Sequence, residues 1–136
     1  MNNLWAIVPA AGLGSRMGSE LPKQYHKIAG LPILEHTLRV LLDSSDIFRI
    51  IVALHPTEPR KDQLPSLIHD RIQVVQGGLN RSDSVLSGLN WLNHEASDDD
   101  WVLVHDAARP CLSANSLENL INEAKRLNNG VILCGP

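Results

Sequence analysis

Apolar residues gather in short runs separated by longer amphipathic stretches. Leu4 to Val8, Arg49 to Leu54, Ile72 to Val75 and Trp101 to His105 are such runs, and a fifth, Gly130 to Cys134, closes the sequence. They are short and do not alternate apolar with polar, so they predict strands covered on both faces, as in a parallel sheet. The stretches between them carry helical spacing. Pro32 suits the first turn of a helix in which Leu34, Leu38, Leu41 and Leu42 recur. Asn80 suits the N-cap of a second, with Val85, Leu89 and Leu92 on one face. Leu117, Leu120, Ile121, Ala124 and Leu127 form the stripe of a third, capped by Ser113 or Asn115, and Gly130 follows its end. Residues 55–69, with Pro56, Pro59 and Pro65, predict irregular and weakly helical backbone. Strands alternating with helices predict the α/β class, doubly wound about a mostly parallel sheet.

In such sheets ligands bind beyond the carboxyl ends of the strands, which singles out three loops. After the first strand comes Pro9-Ala10-Ala11-Gly12-Leu13-Gly14-Ser15-Arg16-Met17-Gly18, then Pro22-Lys23-Gln24. Small residues let successive backbone N–H groups close around phosphate oxygens. A dinucleotide fingerprint would need glycine where Met17 stands, and a Walker A loop would need Gly-Lys-Ser/Thr after four spacers; both fail. A glycine loop with two cations remains, Arg16 able to fork onto two oxygens and Lys23 acting as a point charge. A plain strand-to-helix turn with two solvated cations is the other reading. After the third strand, Gln76-Gly77-Gly78-Leu79-Asn80-Arg81-Ser82-Asp83-Ser84 allows close backbone approach and aims a helix N-terminus at the same crevice. Taken alone, such a segment is more often a plain turn and helix cap. After the fourth, His105-Asp106-Ala107-Ala108-Arg109-Pro110 puts a carboxylate at a strand end, where it can take Mg²⁺ or a ribose hydroxyl, with Arg109 in reach of a phosphate. The alternative is a structural ion pair between Asp106 and Arg109.

Length and composition narrow the class. The 136 residues allow one domain and one core. With 43% hydrophobic residues, 20% charged residues and a net charge of −3, the chain reads as an ordinary globular protein and not as a nucleic-acid binder. The run before Pro9 is too short for a membrane span or signal peptide, so no membrane partner is expected. Cys111 and Cys134 fit neither a disulfide framework nor a zinc pattern, and a reducing, cytoplasmic setting follows. The six histidines lack metal-ligand spacing, and His105 reads as a strand-end residue. Asp98-Asp99-Asp100 reads as a solvated loop, Glu35 and Glu118 as solvated or capping, and Trp5, Trp91 and Trp101 as packing.

The glycine loop followed by Arg16 and Pro22-Lys23-Gln24-Tyr25 resembles the cytidylyltransferases that act on methylerythritol phosphate and ribitol phosphate. Val104-His105-Asp106-Ala107-Ala108-Arg109-Pro110 is similar to the methylerythritol phosphate family at each position compared, and Gly77-Gly78 through Ser84-Val85 resembles its base-binding segment. The resemblance implies a Rossmann-like nucleotidyltransferase fold and cytidylyl transfer from CTP with Mg²⁺. It implies that Arg16 and Lys23 stabilise charge on the α-phosphate. Nucleotide contacts then fall to Pro9, Ala10, Ala11, Gly12, Leu13, Gly14, Ser15, Gly77, Gly78, Arg81 and Ser84. Asp106 lies near the metal and, with Ala107 and Arg109, holds the polyol phosphate. Ribitol phosphate transfer, and a CTP-holding module without turnover, are the rival readings. The resemblance spans residues 1–136 yet only the first part of a family chain. It implies a homodimer for a complete chain, and predicts negligible turnover and no such dimer for this piece.

Overall fold

A computed structural model describes residues 3–12, 21–110 and 113–127. Its centre is a four-stranded sheet of β1 (Leu4–Ala10), β4 (Ile47–Leu54), β5 (Ile72–Gln76) and β6 (Trp101–Val104), in the order β5-β4-β1-β6 and parallel at each pairing. Among the described residues three α-helices accompany these strands: α1 (Ile33–Leu42) after β1, α2 (Arg81–Leu92) after β5 and α3 (Ala114–Leu127) after β6. A two-stranded antiparallel ribbon, β2 (Lys27–Ile28) with β3 (Leu31–Pro32), leads into α1. The α/β reading holds, and four apolar runs became strands. The fifth, Gly130 to Cys134, lies outside the described residues.

Side chains alternate across a strand, so β1 feeds two cores. Leu4, Ala6, Val8 and Ala10 join Leu34, Leu38 and Leu41 of α1 and Leu117 and Ile121 of α3 on one face. Trp5 and Ile7 join Ile51 and Leu92 on the other, beneath α2. Residues of β1 are nearly all buried, which is why its sequence reads apolar without alternation. Strand β6 departs from that expectation. Trp101 and Leu103 pack on the first core, whereas Val102 and Val104 are half-exposed, because α2 packs on β1, β4 and β5.

Helix α2 also presents a different face from the one its apolar spacing suggests. Ser84, Gly88 and Leu92 are buried while Leu89 is exposed. Gly88 is the cause: a Cβ there would lie 2.9 Å from Ile7 Cγ2, so the missing side chain lets the helix settle onto β1. Asn80 caps this helix as expected, its Oδ1 accepting from Asp83 N at 2.8 Å. Ser113, not Asn115, caps α3, accepting from Ser116 N at 3.0 Å.

Two acidic residues, one read as solvated or capping and one as part of a solvated loop, take partners distant in the chain. Glu35 is fully buried; its carboxylate accepts from Ser66 Oγ at 2.6 Å, Ser66 N at 3.1 Å and Arg39 Nε at 2.7 Å. The 3₁₀ turn Pro65–Ile68 folds back over α1, a contact that helix spacing cannot reveal. Asp100 accepts from Asn3 N and Trp5 Nε1, both at 2.9 Å, and from Ser97 N. The Asn3 N–H first, then the Trp5 and Ser97 groups, hold its carboxyl below the ordinary value. Asp98 and Asp99 stay exposed. The C-terminal end of α1 is closed from afar by Arg71, which donates to the carbonyls of Leu42, Ser44 and Ile47.

Replacing a mid-helix glycine by alanine ordinarily stabilises a helix by about 1 kcal/mol. At Gly88 the new methyl meets a buried β-branched side chain, and overpacking costs about 1–3 kcal/mol. Gly88→Ala is therefore expected to lower stability by about 1 kcal/mol net in urea unfolding. A more stable variant would mean that α2 does not sit this close to Ile7.

Candidate active site

The carboxyl ends of β1, β5 and β6 open into one cleft of about 590 Å³. Each wall comes from a loop singled out above. From the first, Pro9, Ala11 and Gly12 face the cleft, with Lys23 and Gln24 from the 3₁₀ turn Lys23–Tyr25 beside them. Asn80, Arg81 and Ser84 come from the start of α2, and Asp106, Ala107, Ala108 and Arg109 from the loop after β6. Parallel strands bring these together although up to a hundred residues separate them.

Not every expected residue reaches the cleft wall. Ala10 is buried in the core behind it. Gly77 and Gly78 lie beneath it, where they are needed for packing. A Cβ on Gly77 would overlap Ala11 Cβ, and one on Gly78 would overlap Asp83. The missing side chain of Gly77 seats the β5 loop against the β1 loop, and that of Gly78 seats it against the start of α2. Ser84 is almost fully buried, and its Oγ accepts from Gly78 N at 3.1 Å, tying the same loop to the helix start. Leu13, Gly14, Ser15 and Arg16 lie outside the described residues. Gln24, Asn80 and Ala108 were not among the expected site residues. Gln24 stood in view between Lys23 and the buried Tyr25, and Asn80 was read as a cap, which it is.

Charge in the cleft centres on Asp106. Its Oδ1 accepts from Arg81 Nε at 2.9 Å and its Oδ2 from Arg109 Nε at 3.0 Å. The ion pair that stood as the structural alternative is thus present, and extended by a second arginine from α2. Burial raises the Asp106 carboxyl, but the hydrogen bond and charge of Arg81, joined by Arg109, lower it further and leave it below the ordinary value. The loop is held from below by Thr37 of α1, whose buried Oγ1 donates to the Ala107 carbonyl at 2.9 Å. His105 Nε2 lies 2.8 Å from the Arg109 carbonyl, a contact that requires the proton on Nε2. This makes His105 a loop brace. Among the described residues no group of three or more His, Cys, Asp or Glu is arranged to hold a metal ion.

Comparisons with known proteins agree with one another. The family model for 2-C-methyl-D-erythritol 4-phosphate cytidylyltransferase matches residues 4–136. The enzyme of that name from Photorhabdus laumondii is 50% identical over 131 residues, covering 96% of this chain and 54% of the relative. The Photobacterium profundum enzyme is also 50% identical, over 98% of this chain and 56% of its own. Among solved structures, the Francisella tularensis enzyme superposes with a TM-score of 0.74 at 40% identity, covering 91% of this chain and 52% of that one. The chain spans about half the length of these relatives.

The two ion pairs of Asp106 are exposed, the arginine side chains at 60% and 75%, so their effect on stability is small. Asp106→Asn is expected to lower unfolding free energy at neutral pH by less than about 1 kcal/mol. A carboxyl lowered in the folded state stabilises above its unfolded pKa of about 3.9 and loses that effect as pH falls through the folded value. Urea titrations of both proteins from pH 7 into this acid range should therefore converge. A gap that persists in acid would show that the carboxylate charge is not what holds the loop.

Proposed function

The chain belongs to the 2-C-methyl-D-erythritol 4-phosphate cytidylyltransferase family, and from that premise we propose that it forms the nucleotide-binding part of an enzyme transferring a cytidylyl group from CTP to 2-C-methyl-D-erythritol 4-phosphate. One observation carries the reading: three strand-end loops converge on a single cleft that is lined by Lys23 and holds Arg81 and Arg109 on one carboxylate. A phosphate oxygen of the acceptor attacks the α-phosphorus of CTP in line, the α–β bridging bond breaks, and pyrophosphate leaves. Such transfer depends on positioning and on stabilising charge, not on a protein nucleophile.

The residues divide by wall. The backbone of the loop from Pro9 through Gly12, continuing into Leu13, Gly14, Ser15 and Arg16, receives the triphosphate. Lys23 and Arg16 meet the negative charge that grows on the α-phosphate. Gly77 and Gly78 with Arg81 and Ser84 form the nucleoside side, Ser84 retaining a hydroxyl proton to donate. Asp106, Ala107 and Arg109 receive the polyol phosphate, and phosphate arriving at Arg81 or Arg109 competes with Asp106 for the guanidinium.

Nucleotidyl transfer generally uses a divalent ion, and Mg²⁺ is the natural choice. It binds through one or two carboxylates with substrate phosphates and water completing its shell. Asp106 fits as that carboxylate, because each oxygen accepts a single guanidinium hydrogen bond and has a lone pair to spare. When bound, the ion neutralises triphosphate charge. We further take the complete enzyme to be a cytoplasmic homodimer; the lack of a disulfide pattern supports the first point and the family resemblance the second. No described helix is long and apolar enough to cross a membrane.

In full-length protein, Lys23→Ala and Arg16→Ala should each lower kcat by about two to three decades while changing KM far less, as expected for groups acting on transition-state charge. Pyrophosphate release with CTP, compared between methylerythritol phosphate and ribitol 5-phosphate, decides the reaction. Effects confined to KM would make both cations ground-state binders, and equal use of ribitol 5-phosphate would broaden the acceptor. A protein that binds CTP without releasing pyrophosphate would be a nucleotide-binding module.

A further inference from the structure

The cleft's two phosphate-facing pieces, the loop leaving β1 and the turn carrying Lys23, are joined by one side chain. Gln24 Nε2 lies 3.2 Å from the Ala10 carbonyl and 3.1 Å from the Gly12 carbonyl. A primary amide has two N–H donors, and here each is used on a carbonyl flanking Ala11, where strand gives way to glycine loop. The reverse orientation would set the amide oxygen against two other oxygens, so the assignment is unambiguous. Gln24 is itself 8% exposed, a polar side chain buried where each carbonyl needs a partner.

Its neighbours make the link directional. Tyr25, one residue on, is 1% exposed, with the Arg60 guanidinium 5.3 Å above its ring. Tyr25 N donates to Pro22 O and His26 N to Lys23 O, so the turn is a rigid unit. Tyr25 anchors it in the core, Gln24 bolts it to the glycine loop, and Lys23 is left exposed at the cleft wall. Without the amide, the turn is still anchored at Tyr25, but the two hydrogen bonds that tie it to the carbonyls of Ala10 and Gly12 are gone.

We infer that Gln24 is a positioning residue: it locks the glycine loop and the Lys23 turn into one phosphate-receiving unit, so that binding of a nucleotide's phosphates depends on it. The inference rests on the reading of this cleft as a nucleotide site, and deepens it. Gln24→Met keeps the volume and removes both donors; Gln24→Asn keeps the amide but shortens its reach, and carries the same measurement should the methionine variant fold poorly. Calorimetric titration with inorganic tripolyphosphate and with CTP, both with Mg²⁺, reads the effect. Each variant is expected to weaken both ligands by about tenfold, the size of one or two lost hydrogen bonds. Ser66→Ala is the matched control, because it removes a part-buried hydrogen bond to the buried Glu35 away from the cleft. It should lower the melting temperature comparably and leave both affinities within about twofold. Gln24 variants that lose melting temperature but keep their affinities would overturn the proposal, as would equal weakening by Ser66→Ala. Wild-type protein that binds tripolyphosphate but does not prefer CTP would overturn the cytidylyl reading alone, and the tripolyphosphate arm would still judge Gln24. Wild-type protein that binds neither would overturn both.

Discussion

The central strand β1 can be buried on both faces only if helices lie above and below the sheet, and the rest of the molecule follows from meeting that condition. Its even-numbered residues need α1 and α3, and its odd-numbered ones need α2. Each large apolar side chain so enclosed stabilises the fold by roughly 1.5–3 kcal/mol, and β1 contributes several. Pairing with β6 ends at Ile7 opposite Val104, and pairing with β4 ends at Ala10 opposite Leu54. Beyond that point the chain must turn away and its polar groups need new partners. The cleft occupies the space that opens there.

What fills that rim is polar and mutually neutralising. Asp106 sits between Arg81 and Arg109, so two guanidiniums are held close together without an added anion. A surface that gathers cations around a single carboxylate is suited to receiving phosphate, since an incoming anion offers each arginine a stronger partner. Thr37 and His105 hold the Ala107–Arg109 loop from below and from within, while Gln24 does so for the opposite wall. The cationic groups are exposed, and two of the groups that orient the walls, Thr37 and Gln24, are buried. This division matches chemistry that depends on positioning.

The glycines serve contact more than flexibility. Gly88 lets α2 approach β1, and Gly77 lets the β5 loop approach Ala11. Both approaches bring the start of α2, with Arg81 and Ser84, up to the cleft. Bulkier residues at either place would push Arg81 and Ser84 away from the β1 side of the cleft.

Local pattern was enough to determine the fold class, the alternation of strands and helices, the cap at Asn80, and the three loops that would meet. Those features depend on residues close in the chain, and on the general rule that parallel sheets bind ligands at their carboxyl ends. Asp106 with Arg109 was also legible, being three residues apart. What the chain alone left open depends on groups distant in sequence. Arg81 pairs with Asp106 across 25 positions, Thr37 reaches Ala107 across 70, and Asp100 takes the Trp5 indole across 95. Glu35 looked solvated because its partner Ser66 lies 31 residues on, in a segment with no helical period. Leu89 looked buried because spacing marks an apolar face but not which part of it a glycine will press against the sheet. Hydrophobic periodicity records how much of a segment is covered; only tertiary packing decides by what, because that choice is made by steric fit and hydrogen-bond satisfaction between surfaces that sequence does not place side by side.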